Sequence, residues 1–109
     1  CVNFAEEQAK KFGVRAPMVG HLGDGNFHVV LPFDPTKKEM YKKIRAFNDT
    51  LIKKALELNG TITGEHGVGL HKKEYLLEEH PDNIPVMKSI KRTLDPNNIM
   101  NPGKIFDLN

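Results

Sequence analysis

Between Met40 and Leu58 an apolar residue returns every three or four positions, at Met40, Ile44, Phe47, Leu51, Ala55 and Leu58, with mostly polar residues between. That is the helical period, and it predicts one long amphipathic helix with a core-facing stripe. Thr36-Lys37-Lys38-Glu39, just after Pro35, reads as the capping box that starts it, and Gly60 as its stop. Three shorter helices are expected. One covers about Phe4 to Phe12, with Asn3 as cap, Glu6 three residues on and Gly13 as a left-handed stop. Another starts near Val68 to Leu70 and ends before His80-Pro81. The last runs from about Ile84 to Leu94 and is closed by Asp95-Pro96.

Elsewhere the pattern is that of strands. Arg15 to Leu22 and Asn26 to Phe33 are rich in Val, Leu and Phe and are joined through Asp24-Gly25, the strongest short-range hairpin signal. A shorter strand is expected at Thr61-Ile62-Thr63. The order helix, hairpin, helix, strand, helix, helix predicts an α+β domain over residues 1–109. Its antiparallel sheet would carry helices on one face, in a ferredoxin-like but incomplete arrangement. The turn-rich tail LDPNNIMNPGKIFDLN should wrap over a surface.

Composition narrows the classes. The 109 residues suit a single domain, and 39% hydrophobic with 28% charged residues is ordinary for a globular one. A net charge of +2 is too small to indicate nucleic-acid binding, and the paired lysines, separated by acids, read as solvated helix faces. The single cysteine, Cys1, excludes an internal disulfide and agrees with a reducing, cytoplasmic setting. No apolar run approaches the roughly 20 residues of a membrane span. A start at Cys1, directly before a helix, suggests a piece of something longer.

Two stretches carry candidate chemistry. GHLGDGNFH, residues 20–28, spaces two histidines around a turn. With Asp24 and Gly25 as the two central residues of a type I′ turn, His21 would face His28 across the strands. Directly opposed Cβ atoms lie about 4.5–5.5 Å apart, which lets two imidazoles share one cation. The alternative is two surface histidines flanking a good turn. GTITGEHGVG, residues 60–69, wraps four glycines around Glu65-His66, which implies unusual torsions or close approach of a ligand. His, His and carboxylate is a recurrent set for a metal that keeps open positions. A phosphate-binding loop fits poorly, because Gly69 is followed by Leu70 and His71 where a lysine is needed. His71 and His80 read as exposed structural residues.

Taken together, GHLGDGNFH, GTITGEHGVG and LDPNNIMNPGK resemble, in order, the C-terminal part of the FAD-linked oxidases. These are the D-lactate dehydrogenase and glycolate oxidase branch of the vanillyl-alcohol-oxidase flavoprotein superfamily. The resemblance covers essentially the whole chain. It implies a cap domain that closes over FAD, the cofactor being bound mainly by an N-terminal domain absent from these residues. It also implies a divalent metal, zinc or manganese, held by His21, His28 and Glu65, with His66 as catalytic base. The terminal Asn101-Pro102-Gly103-Lys104 would lie near the flavin domain, with Asn101 as its cofactor contact.

The implied activity is oxidation of a small 2-hydroxy acid, with hydride passing to FAD and electrons on to an unassigned acceptor. The isolated chain would be inactive and could self-associate through the face that meets its own FAD-binding domain. A redox partner would hold the enzyme peripherally at a membrane. Two positions depart from the family pattern. Val30 stands where relatives acting on 2-hydroxyglutarate carry asparagine, which favours lactate or glycolate. His71 stands where many relatives have glycine. Competing readings are a structural or interaction module built on the same metal set, and a metal-dependent hydrolase.

Overall fold

The computed structural model describes every residue, Cys1–Asn109. The elements are helix α1 (Val2–Phe12), strand β1 (Met18–Val19), a 3-10 turn (Leu22–Asp24), strand β2 (His28–Val29) and helices α2 (Lys38–Glu57), α3 (Lys73–Glu79) and α4 (Ile84–Leu94). This is the α+β set that the pattern predicts. The sheet has two antiparallel strands, an incomplete share of the four in a ferredoxin-like domain. The chain divides into two units, Cys1–Gly64 and Glu65–Asn109.

The first unit is built on α1 against α2. The Phe12 ring meets Phe47 edge-on, with centroids 6.2 Å apart. Phe47, at the centre of the predicted stripe, has no exposed surface, and Ala5 on α1 is buried with it. The ends of the stripe do not join this core: Met40 and Leu58 are exposed. Gly13 stops α1 as expected, at φ 62, with its N–H on the Lys10 carbonyl.

The start of α2 departs from the capping-box expectation. The Thr36 hydroxyl and N–H both bond to Asp34 Oδ1, at 2.6 and 3.0 Å, so Thr36 is engaged upstream. A carboxylate two residues away is the stronger local acceptor, and the helix begins at Lys38 without a side-chain cap. At its other end Asn59, not Gly60, takes the left-handed conformation, and Gly60 donates to the Ala55 carbonyl. Likewise α1 opens at Val2, so Asn3 lies inside it and is not its cap.

The strands are shorter than the apolar runs suggested. No third strand flanks the pair, and Thr61–Thr63 forms none. There the hydroxyls of Thr61 and Thr63 bond to each other, and Thr63 donates to the Gly64 carbonyl at 3.1 Å. Such local side-chain bonds compete with a ladder.

The second unit holds α3, α4 and the tail. Helix α3 starts at Lys73, later than the sequence suggested, leaving His71 in the preceding turn. Helix α4 spans the predicted residues, with Pro85 in its first turn. Leu76 and Ile84 are buried. Asp95, 6% exposed, organises the turn after α4. Its carboxylate accepts the N–H groups of Ile99 and Met100 at 3.0 and 2.9 Å and the ammonium of Lys91. The tail then returns along its own unit through Lys73–Asp107 at 2.7 Å. On α4 the positions Val86, Ile90 and Leu94 recur every four residues and are 55–77% exposed, an unpartnered apolar stripe.

Candidate functional site

The hairpin carries the first two candidate ligands. Met18 pairs with Val29 and Val19 with His28, so His28 faces Val19 across the ladder. The expected direct pairing of His21 with His28 is not formed. His21 lies past β1, where its carbonyl accepts the N–H groups of Asp24 at 2.9 Å and Asn26 at 3.2 Å. The cause is torsional. A type I′ turn needs positive φ at both central residues; Gly25 has φ 73, but Asp24 is not in the positive-φ region. Leu22–Asp24 therefore closes as a 3-10 turn, and the register moves by two residues. His21 is exposed and His28 half-buried.

Gly20 permits this closure. A Cβ there would lie 2.5 Å from the Phe27 Cα and 2.7 Å from the Asn26 carbonyl oxygen, so no larger residue fits. Gly20 is a positioning residue that sequence reasoning passed over; its only signal was its place beside the hairpin.

The carboxylate and candidate base open the second unit. Gly64, Gly67 and Gly69 have φ of 53, 76 and 57, all in the left-handed region that glycine alone enters freely. This is the reason for the glycine density. Between the first two of them, Glu65 Oε1 lies 3.7 Å from His66 Nε2, both side chains more than half exposed. A carboxylate at that distance can orient an imidazole ring.

The same loop receives the tail. The Gly69 carbonyl accepts the Ile105 N–H at 2.8 Å, and Ile105 is held at φ 69, a strained setting for a β-branched residue. Just before it, the Asn101 carbonyl accepts the Lys104 N–H at 3.3 Å, and Asn101 has φ 48. The Asn-Pro-Gly-Lys motif is thus a turn that delivers the chain to the glycine-rich loop. His71 is exposed, as expected. His80 ends α3, with its carbonyl on the Asn83 N–H and its ring 3.4 Å from Glu79, which is a structural role.

Two carboxylates elsewhere are held below their ordinary range. The Lys91 ammonium, followed by the Met100 and Ile99 N–H groups, holds the Asp95 carboxyl below its ordinary range against the opposing effect of burial. The Thr36 hydroxyl and N–H lower Asp34 in the same sense.

Comparison with known proteins gives the family. The family described as FAD linked oxidases, C-terminal domain, matches residues 1–105. The chain belongs to that family. Among relatives, it is 46% identical to a probable mitochondrial D-lactate dehydrogenase of Danio rerio, over 87% of this chain and 19% of the relative. It is 41% identical to the glycolate oxidase subunit GlcD of Bacillus subtilis, over 90% of this chain and 21% of the relative. It is 43% identical to a D-2-hydroxyglutarate dehydrogenase of Stutzerimonas stutzeri, over 80% of this chain and 19% of the relative. The chain thus spans about one fifth of the length of these relatives. No helix is long and apolar enough to cross a membrane.

Proposed function

We propose that this FAD-linked oxidase C-terminal domain forms the substrate side of a flavin-dependent 2-hydroxy acid dehydrogenase. In this reading it supplies His21, His28 and Glu65 to a divalent metal, zinc or manganese, and His66 as the base. One observation carries the reading: in a member of this family, the left-handed glycines at 64 and 67 bracket a carboxylate and an imidazole 3.7 Å apart. The donor set suits the metal, since two imidazoles and one carboxylate leave coordination positions for a substrate.

FAD would supply the hydride acceptor for C2 of the substrate, and a divalent metal held by His21, His28 and Glu65 would supply a Lewis acid for the substrate's carboxylate and 2-hydroxyl. This chain's residues do the rest. His66 Nε2 takes the 2-hydroxyl proton as the 2-oxo acid forms, with Glu65 3.7 Å away. Asn101 marks the tail turn that faces the cofactor domain.

The partner is the enzyme's own FAD-binding domain, and the stripe of Val86, Ile90 and Leu94 is the apolar face offered to it. Val30 favours D-lactate or glycolate over a substrate with a second carboxylate, although one relative is named for D-2-hydroxyglutarate. The protein works in the cytoplasm, held at a membrane through its redox partner; relatives named mitochondrial mark the alternative.

The test is rapid mixing of the full-length flavoprotein with D-lactate, glycolate and D-2-hydroxyglutarate, followed by flavin bleaching. His66→Ala should slow bleaching roughly 10²–10⁴-fold. An undiminished rate would remove the base assignment.

A further inference from the structure

The N-terminal end of α2 and the loop after α1 enclose a cleft of about 790 Å³ that the proposed chemistry does not use. It lies wholly within the first unit, and its size is that of a small-molecule site. Four cations line it: Arg15, Lys37, Lys38 and Lys43. None of them takes part in an ion pair. The one acid on the wall, Glu39, is already engaged by Lys42 at 3.7 Å. The floor is apolar and half-buried, formed by Val14 and Ile44.

We infer that this cleft binds a single organic anion with an apolar body, of the fatty-acid type. Unpaired cations of one sign around a concave wall concentrate a complementary anion. An inorganic anion would leave the Val14 and Ile44 floor wet, and a neutral lipid would leave the four charges unanswered. Only a molecule with both features satisfies both surfaces. None of the residues that line the cleft belongs to the glycine-rich stretch 60–69, and the anion inferred here is a ligand other than the oxidised substrate.

The experiment is calorimetric titration of the full-length protein with decanoate, 1-decanol, inorganic phosphate and an acidic peptide. Decanoate should bind at least about tenfold more tightly than either decanol or phosphate. The double variant Lys38→Glu/Lys43→Glu, changing two exposed side chains, should weaken decanoate about tenfold or more. Lys53→Glu, farther along α2, should leave binding unchanged, and both variants should keep wild-type turnover. Equal binding of decanol, equal binding of phosphate, tighter binding of the peptide, or decanoate affinity unaffected by the double variant would each overturn the inference.

Discussion

The side-chain oxygen of Asn26 lies 3.1 Å from the place a Cβ would take on Gly64. The last residue of the first unit thus rests against the hairpin loop between His21 and His28, and one peptide bond later comes Glu65. Gly64 also has φ 53. Gly64→Ala should therefore destabilise the domain by about 1–2 kcal/mol through the left-handed torsion alone, with the Asn26 contact adding to it. Chemical denaturation of the wild type and variant checks this. Asn26→Ala combined with Gly64→Ala should recover only the contact portion.

Phe47 is the one large side chain with no exposure. Phe47→Ala should cost about 3–5 kcal/mol, a large share of the roughly 5–15 kcal/mol that holds a domain folded. Loss of cooperative thermal unfolding is the expected readout. Val86→Ala, on the exposed stripe of α4, should stay within about 0.5 kcal/mol in the isolated chain and lower FAD retention only in the full-length protein.

Asp95 sets a pH dependence. Its folded-state pKa is lowered, chiefly by Lys91, so its contribution is complete above the ordinary carboxylate pKa of about 3.9 and is lost as pH falls through the lower folded value. Asp95→Asn should lower Tm at neutral pH, by roughly 5–10 °C. The gap between variant and wild type should close below about pH 4. Melting curves from pH 3 to 8 measure this, and a constant gap would mean that Asp95 acts through shape alone.

The sequence exposed some features and hid others for identifiable reasons. The end of helix α4 was legible because Asp95-Pro96 closes it. The torsions of Gly64, Gly67 and Gly69 were legible because dense glycine has few other uses. The capping box at Thr36 misled because Asp34, just outside the motif, binds the same hydroxyl. The strands were overextended because apolar residues mark burial, and a strand also needs a partner to pair with. The His21–His28 register depended on the torsion of one residue, Asp24, which no motif reports. Gly20 was missed because its requirement comes from the backbone of Phe27 across the hairpin.

The metal content of the full-length protein, measured by plasma mass spectrometry alongside His28→Ala and Glu65→Gln, bears most directly on the central claim. About one divalent ion per chain in the wild type, and its loss from both variants with the fold retained, is the predicted result. Equal metal in all three proteins, with equal rates of flavin bleaching, would contradict the account.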